Sequence, residues 1–513
     1  MAQYQQKDIE LRFHWRALSA ATLVSLSSFQ YGIDFGIIGG LQAMKPFLEV
    51  FGQRDPKSPT GWNISPDRQQ LISSLMILGA FIASFSAGFT SRWFGRKMSL
   101  WIACIGVAIA TIIMQLTTNI GALYAGRLII GLANGLLMTH CQLYIQEVLP
   151  AKYRGLGIAM FSYWISLGSL LGTIVDYPAS EDPTRNAYIV PLGIVYIVPG
   201  IIAIGLFFIP ESPRWLAGRG EMASAEKSLK WLRPQTWSTA EELREMEVAL
   251  AAEAQLHSST TFFSLFDNPI DRRRTIIAVL ALTTQAGSGS MFVISYGTYF
   301  FQMANIGDSF QNSCILTGIG VVAMLINSAL VTRFGYRRVM MMSGFALCGI
   351  AQLAIAAVYT VEPGTVKTGK AIVGLSVVYI VGYNWMIAPY AWLSGGELPS
   401  QRLRSYTFGL ATAIGFLFAW LTTFTAPYFI NPLALNWGPK YGYIWAPSCV
   451  ACMVWIFLFL PEVKDRTLEE IDEMFEARVS ARKFRGYQCT GTHAALQEKG
   501  PETKPQAAHE ESR

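Results

Sequence analysis

The sequence is short of charge. Only 14% of its 513 residues are Asp, Glu, Lys or Arg, against about a quarter in an average soluble domain, whereas 52% are hydrophobic. Its five histidines and seven cysteines lie without the paired spacings of a disulfide framework or a zinc site. No Gly-x-x-x-x-Gly-Lys-Ser/Thr segment for binding nucleotide phosphates is present, so ATP-driven transport has no support. These absences leave a chain that is difficult to keep in water.

Long apolar runs take the place of charge. A helix needs about 20 consecutive apolar residues to cross the hydrocarbon core, because its backbone N–H and C=O groups must be bonded inside the segment. Twelve such runs predict an all-α membrane protein with twelve transmembrane helices. The runs lie near residues 18–42, 69–91, 98–118, 122–145, 156–176, 188–209, 276–301, 313–331, 338–360, 370–394, 405–430 and 442–460.

The basic residues are unevenly distributed between the two sides of the predicted helices. With both termini on one side, 31 of the 40 Lys and Arg residues fall on that side, eight fall on the other, and Arg127 is left within a span. Cytoplasmic loops are enriched in Lys and Arg, so both termini are predicted to be cytoplasmic. Much of the net charge of +6 then serves topology and contact with lipid headgroups, not nucleic acid.

The first apolar run and the outer loop after it are the places where a cleaved signal peptide or a glycan would be expected. The run has no small-residue cleavage site before a soluble domain, so we expect it to remain in the mature protein. In the loop, Asn63-Ile64-Ser65 is an N-glycosylation sequon, followed by Pro66. Asn63 is therefore a candidate for a glycan.

The second half of the chain restates the first at an offset of about 240–250 residues. Paired motifs in the same order argue for a duplication, and so for two six-helix bundles. The paired motifs are Glu147…Arg154 with Glu397…Arg404, and Pro210-Glu211 with Pro461-Glu462.

A polar stretch separates the two halves. It has helix-like patterns at Met222–Leu232 and Glu241–Ala254. The end of the chain, after about residue 476, is rich in Gly, Glu, Lys and Gln, which is typical of disorder. The predicted organisation is a cytoplasmic N-terminus at 1–17, a first bundle at 18–210, a cytoplasmic linker at 211–274, a second bundle at 275–461 and a cytoplasmic tail at 462–513.

The motifs along the chain resemble those of one family. Up to about residue 475, the sequence is similar to the sugar porters of the major facilitator superfamily, in their fungal sugar-transporter-like branch. The resemblance implies the major facilitator fold, a solute site near the bilayer midplane, and alternating access by rocking of one half against the other. The motifs are Tyr31-Gly-Ile-Asp34-Phe-Gly-Ile-Ile-Gly-Gly40, Gly126-Arg127, Tyr144-Ile-Gln-Glu147, Pro210-Glu-Ser-Pro-Arg-Trp-Leu216, Trp392…Glu397-Leu-Pro399 and Pro461-Glu-Val-Lys464.

A carboxylate and a guanidinium fall inside the apolar spans. Asp34 lies in the first and Arg127 in the fourth, where a charge is costly unless it is paired or neutralised. The resemblance implies that the two form the proton switch of the family's proton-coupled members, in which protonation of Asp34 releases Arg127. The alternative is a static ion pair that only ties the two spans together.

Further charges lie at the predicted cytoplasmic ends of the spans. The resemblance implies a salt-bridge network that holds the inner side closed when the carrier faces out. The alternative is ordinary anchoring at the interface, since isolated surface pairs contribute little. The predicted gating residues are Glu147, Arg154, Glu211, Arg214, Glu397, Arg404 and Glu462.

The sugar-contact positions that the resemblance implies are only partly kept. Ala286, Met291 and Gly415 stand where sugar carriers have amide side chains. Sugars need many fixed donors and acceptors, so a less hydroxylated or aromatic-containing solute fits this pattern equally well. The alternative for Gln285 and Asn384 is interhelical hydrogen bonding. The candidate substrate-binding residues are Gln285, Tyr296, Asn384, Trp392, Phe416 and Ser162.

His140 lies within the fourth span, beside Cys141. No other His falls within a predicted span to complete a metal site, so His140 is interpreted as a packed, hydrogen-bonded residue. The sequence predicts neither a metal nor a cofactor.

Three functions follow, none of them enzymatic. The first is proton-coupled symport of a sugar or sugar-like small molecule across the plasma membrane, with the solute, protons and the lipid bilayer as partners and no obligate protein partner. The second is export of a small metabolite by the same fold. The third is a non-transporting nutrient sensor, which is disfavoured because such sensors in the family carry long cytoplasmic tails, and only about 50 residues follow the last run here.

Overall fold

The structure, a computed structural model, describes residues 14–489 apart from a few short stretches. The stretches outside the description are 57, 150–153, 236–237, 245, 249, 251–261, 304–306, 401–402, 465 and 467. The described chain is helical apart from one short antiparallel pair of strands.

Six spans make up the first half. Spans two and three follow each other directly along the chain and are separated at Gly95, where the backbone leaves the helical conformation with a φ of 79°. Glycine takes that φ without strain, so Gly95 makes the turn that the sequence places between two separate runs. The sequence predicts span six as a single helix, but it consists of two helices with a break at Val195. The break occurs there because Pro199 has no N–H to donate to the carbonyl of Val195. The bounds are Trp15–Leu41 for span one, Pro66–Leu116 for spans two and three, Ile120–Val148 for span four, Arg154–Ala179 for span five, and Asn186–Ile194 with Ile197–Leu206 for span six.

The second half repeats this plan with two interruptions. Span seven breaks before Ser290, where Gly289 has a φ of 79°. Span ten passes through a π-helical turn at Tyr383–Ile387. The bounds are Pro269–Gly287 with Ser290–Met303 for span seven, Ser309–Phe334 for span eight, Arg337–Val361 for span nine, Val366–Gly382 and Ala388–Glu397 for span ten, Arg404–Ile430 for span eleven, and Gly442–Phe459 for span twelve.

Shorter elements lie outside the spans. After span one come a helix at Lys45–Phe51 and two strands, Gln53–Arg54 and Trp62–Asn63. The linker holds the predicted helix Met222–Leu232, and Glu241–Ala254 lies partly outside the described residues. The other short elements are Pro213–Gly218, Ser264–Asp267, the 3-10 turn Gly438–Tyr441, and the tail elements Leu468–Glu476 and Ala481–Gly486.

The tail is ordered further than its composition predicts. Phe484 is buried and its ring lies 5.1 Å from that of Phe475, edge to face. Arg274 at the start of span seven pairs with Asp472 at 2.5 Å. These contacts hold residues beyond 476 against the second half, because an aromatic anchor within a polar stretch is enough to dock it. Residues 490–513 lie outside the described part.

Ten stretches of described helix are long and apolar enough to cross a membrane. They are spans two to four and six to twelve. Spans one and five are of similar length and pack against each other. The twelve spans form the two predicted six-helix halves. Span one begins and span twelve ends on the same side, which we call the terminal face. The opposite side, where span one ends, is the distal face.

Glycine brings spans one and five into close contact. A Cβ atom at Gly36 would overlap the carbonyl oxygen of Ser169, and one at Gly168 would overlap that of Phe29. Apolar surface cannot drive two helices together in lipid, so close backbone packing of this kind holds them. This contact fixes the position of span one, which carries Asp34.

Candidate functional site

Asp34 and Arg127 meet in the interior of the first half. Arg127 Nη1 donates to Asp34 Oδ1 at 2.8 Å, and the two residues are 1% and 2% exposed. Arg127 Nε also donates to the carbonyl of Ile72 at 2.8 Å, and Nη2 lies 3.3 Å from the sulfur of Met76. The pair predicted from sequence therefore forms, and it joins spans one, two and four.

One oxygen of Asp34 remains available for a proton. Oδ2 is buried and has no hydrogen-bond partner among the described residues. If Asp34 became neutral, Arg127 would keep its bond to Ile72 and would not be left without any acceptor. A buried guanidinium stripped of every partner would destabilise the chain severely, so this second bond makes the exchange possible.

Two amides near the pair are also unsatisfied. Gln30 lies one turn before Asp34 on span one, and Asn134 lies two turns after Arg127 on span four. Both are 0% exposed, and the side-chain nitrogen and oxygen of each have no partner among the described residues. Neither amide belongs to the candidate residues predicted from the sequence, although an amide inside an apolar run is the signal that identifies them.

The helix break in span seven lies beside the predicted ligand Gln285. Its carbonyl accepts from Ser288 Oγ at 2.6 Å and from Ser290 Oγ at 3.1 Å. The amide nitrogen of Gln285 makes a long bond of 3.4 Å to the carbonyl of Leu282 in its own helix. A broken span with a weakly engaged amide is the kind of place where transporters bind solute.

The other predicted ligand residues divide into two groups. Tyr296 is fully buried, and its hydroxyl donates to the carbonyl of Thr423 on span eleven at 2.8 Å. The remaining residues are half-buried on spans five, ten and eleven, and Trp392 packs with Phe408 at 6.2 Å between ring centroids. Their ligand roles stay predictions. The half-buried residues are Ser162, Asn384, Trp392 and Phe416.

Charged residues form a network at the terminal face of the first half. Arg96 Nη2 lies 2.6 Å from Glu147 Oε1, and Ser212 Oγ donates to Glu147 Oε2 at 2.5 Å. The carboxylate of Glu211 accepts from the backbone N–H of Ser212 at 2.8 Å and of Lys97 at 3.0 Å. Burial raises the pKa of the Glu211 carboxyl, and these N–H donors oppose that rise.

The second half repeats this network. Arg337 grips Glu397 with two bonds, of 2.7 Å from Nη2 and 3.1 Å from Nε. The carboxylate of Glu462 accepts from the backbone N–H of Arg337 at 3.1 Å and of Arg338 at 3.0 Å. The duplication read from the sequence is therefore present in the contacts of equivalent residues.

The predicted gating acids pair with arginines outside the predicted set. Glu147 pairs with Arg96 and Glu397 with Arg337, each at the turn between two successive spans. Arg404 acts on Glu397 through its charge, Arg214 lies on the helix Pro213–Gly218, and the side chain of Arg154 is outside the description. The bonds of each network described above lie within one half.

Hydrogen bonds between the two halves cluster towards the distal face. Tyr299 on span seven donates to Asn63 Oδ1 at 2.9 Å. Asn431, just after span eleven, donates to Gln69 Oε1 at 3.0 Å and to the carbonyl of Ile64 at 2.8 Å. The hydroxyls of Thr173 and Thr317 lie 2.9 Å apart, joining spans five and eight. The distal face is thus closed by bonds between the halves.

Asn63 has a structural place that its sequon does not reveal. Its side chain is 0% exposed, and Nδ2 donates to Asp55 Oδ2 at 3.2 Å while Oδ1 accepts from Tyr299. The nitrogen that a glycan would occupy is buried and engaged, so this fold offers no access for glycosylation. A sequon is defined by three consecutive residues, whereas the burial of Asn63 comes from tertiary contacts that the local sequence does not show.

His140 takes the packed role that the sequence predicts. It is buried, its Nδ1 lies 3.0 Å from the carbonyl of Leu136, and its Nε2 lies 3.4 Å from Thr90 Oγ1. The part of the chain that the structure describes holds no group of three or more His, Cys, Asp or Glu arranged to bind a metal.

Comparison with known sequences gives a match over most of the chain. The model of the family described as "Sugar (and other) transporter" matches residues 20–475. The major facilitator-type transporter ecdD of Aspergillus rugulosus is 26% identical, over 93% of this chain and 90% of its own. The probable glucose transporter rco-3 of Neurospora crassa is 28% identical, over 90% of this chain and 79% of its own.

Comparison with solved structures gives the same fold. The inward-open xylose transporter XylE from E. coli superposes with a TM-score of 0.72 at 20% identity, covering 89% of this chain and 99% of XylE. In another structure it is described as a proton:xylose symporter of the major facilitator superfamily. At this identity, the likeness shows the fold alone.

Proposed function

The chain belongs to the sugar (and other) transporter family of the major facilitator superfamily, and we propose that it carries a sugar or sugar-like small molecule across the plasma membrane together with protons. The chain is an integral, multi-pass membrane protein of that superfamily's fold. Beyond the family and the fold, we propose the class of solute, the proton as the coupling ion and the plasma membrane as the location. The partners would be the solute, protons and lipid.

The buried pair of Asp34 and Arg127 carries the proposal for protons. A buried ion pair is weak grounds for a purely stabilising role, because desolvation of both charges offsets much of their attraction. Here one carboxylate oxygen has no hydrogen-bond partner among the described residues, and the guanidinium has a second acceptor in the carbonyl of Ile72. Protonation of Asp34 would weaken the tie between spans one and four without stranding Arg127.

The bonds at the two faces support alternating access. The distal face is closed by bonds between the halves, whereas the ion pairs of Glu147 and Glu397 at the terminal face each join residues of one half. We propose that the terminal face is cytoplasmic, from the excess of Lys and Arg there. The conformation is then the one that faces inward. The cycle would exchange it for one in which the distal bonds are broken and the terminal networks meet.

The solute proposal rests on the residues around the break in span seven. Gln285 offers an amide that is only weakly engaged in its own helix, and Asn384 and Trp392 are half-buried on span ten. The sequence places apolar or small residues, Ala286 and Met291, on either side of the break. Such a site would hold a sugar with few hydrogen bonds, or a less hydroxylated relative of one.

Uptake by a transporter-null cell that expresses this chain tests the proposal. A panel of labelled sugars, polyols and small acids, with and without a proton uncoupler, identifies the solute and its dependence on protons. We expect accumulation against a gradient that the uncoupler abolishes. We expect Asp34→Asn to lose accumulation but keep exchange of labelled for unlabelled solute, because the neutral amide mimics the protonated acid.

The controls separate coupling from folding. Glu181→Gln, an exposed acid in the loop after span five, should leave accumulation unchanged. Loss of both accumulation and exchange in Asp34→Asn, with little protein in the membrane, would indicate the static ion pair instead. Accumulation that survives Asp34→Asn would refute proton coupling through this residue. Efflux without uptake would indicate an exporter.

A further inference from the structure

Asp176 is a second carboxylate inside the bundle. It lies three residues before the end of span five, which places it towards the distal face. It is 1% exposed. The apolar run that we read from the sequence ends at this residue, and it has no part in the pair formed by Asp34 and Arg127.

The carboxyl group of Asp176 packs against span one of its own half, beside the seam where span five meets span eight. On span one, Gly40 leaves the space that the carboxylate fills, since a Cβ atom there would overlap Asp176 Oδ2. One turn earlier on span five, the carbonyl of Thr173 accepts from the thiol of Cys314 on span eight at 3.2 Å. The Thr173 hydroxyl meets that of Thr317 on the same span. Opening of the distal face must separate the two contacts between spans five and eight.

Neither oxygen of Asp176 has a hydrogen-bond partner among the described residues, and none of the ion pairs found there includes it. The titratable groups around it offer no positive charge. Cys314 faces it from span eight, and Asp308, at the start of that span, acts on Cys314 and on Tyr177.

The other helices packed against span five direct their titratable groups elsewhere. On span one, Asp34 lies about 9 Å along the helix from Gly40 and is held by Arg127. On span six, Tyr188 packs against Phe47, 5.7 Å away between ring centroids. On span four, Arg127 is committed to Asp34. An ionised carboxylate buried without a partner is too costly to persist, so the group in this seam is neutral.

We propose that Asp176 is a second proton-binding site, filled from the distal side, and that the two halves close over it only when it holds a proton. The proposal rests on the alternating access proposed above. The step is simple: hydronium from the distal water gives its proton to a carboxylate oxygen, and the proton returns to water when the face reopens. The described residues hold no group of three or more His, Cys, Asp or Glu to bind a metal cation here, so a proton is the ligand that this single carboxylate fits.

The direction of the pH dependence follows from the conformation in which the ionised form of Asp176 is stable. When the distal face is open, Asp176 meets water and can ionise; when it is closed, the residue must be neutral. Raising the pH therefore favours the open form. A single proton linked in this way shifts the ratio of the two forms by up to about tenfold per pH unit.

A distance between the halves measures this ratio. Leu116 at the end of span three and Val366 at the start of span ten are both exposed on the distal side, one in each half. Spin labels on cysteines at these positions, with the native cysteines replaced by serine, report the open and closed populations as two distances. The purified full chain in liposomes is measured from pH 5 to 8, without solute.

The measurement is made in an Asp34→Asn background, so that titration of Asp34 does not contribute. We expect the open population to rise with pH in this background. Adding Asp176→Asn should abolish the rise and hold the chain in the closed form, and Asp176→Glu should restore a pH dependence. The matched control Glu181→Gln should change nothing.

The outcomes separate this proposal from the proposed function. A pH dependence that persists when both acids are replaced would overturn the role of Asp176, as would no pH dependence in Asp34→Asn alone. A response to sodium at constant pH would overturn the assignment to protons. Solute accumulation that survives Asp34→Asn would refute proton coupling at Asp34, yet leave the distance measurement on Asp176 able to succeed or fail by itself.

Discussion

Removal of one hydroxyl group from the distal seam should shift the carrier towards its distal-open form. Tyr299 is fully buried, and its hydroxyl donates to Asn63 Oδ1 at 2.9 Å, across the boundary between the halves. Tyr299→Phe deletes that bond and keeps the ring. The acceptor is not stranded, because Asn63 Oδ1 also accepts from the backbone N–H of Ile64 at 2.8 Å.

The size of the shift follows from the net value of one hydrogen bond. A buried neutral bond contributes about 0.5–1.5 kcal/mol, which corresponds to a change of about 2- to 13-fold in the ratio of open to closed forms. In the open form the hydroxyl bonds to water, so only the closed form loses the interaction. The ratio is read from the spin-label distance between positions 116 and 366.

The chain supplies a matched control elsewhere in the second half. Tyr379 on span ten is equally buried, but its hydroxyl donates to the carbonyl of Ser288 at 3.0 Å, within the same half. Tyr379→Phe should lower thermal stability by a similar amount and leave the distance distribution unchanged. Equal shifts in both variants, or none in Tyr299→Phe, would refute the view that bonds between the halves hold the distal face closed.

Two further variants test the packing and the terminal networks. Gly168→Ala should sharply reduce the yield of folded protein, because its Cβ overlaps the carbonyl of Phe29, whereas Gly200→Ala, with open space around it, should have no effect on yield by size-exclusion chromatography. Glu397→Gln should lower the thermal unfolding midpoint, since it replaces a charge-assisted pair with Arg337 that contributes about 1.5–3 kcal/mol, and an unchanged midpoint would show that the pair is not stabilising.

The parts of the fold predicted from sequence are those governed by local composition. Twelve apolar runs, the duplication and the pairing of Asp34 with Arg127 follow from hydropathy and motif order. The interruptions of spans six and seven do not, because hydropathy is averaged over a window longer than the break. Pro199 and Gly289 mark the two interruptions, but each is a single residue within an apolar run and changes the averaged hydropathy little.

The contacts at the site that the sequence did not predict have a common cause, which is that tertiary neighbours are not sequence neighbours. Glu147 pairs with Arg96, 51 residues away. Asn63 forms a sequon by its local sequence and is buried by contacts with Tyr299. Asp176 fell at the boundary of a run, where a charge is ordinary, and only the packing of Gly40 against it shows that it lies inside the bundle.

Proton movement driven by solute tests the central claim most directly. Liposomes containing the purified chain and a trapped pH dye receive a gradient of the transported solute with no proton gradient imposed. The account predicts that solute entry acidifies the lumen in the wild type, and that Asp34→Asn carries solute down its gradient without acidification. Solute entry by the wild type with no change in luminal pH would contradict it.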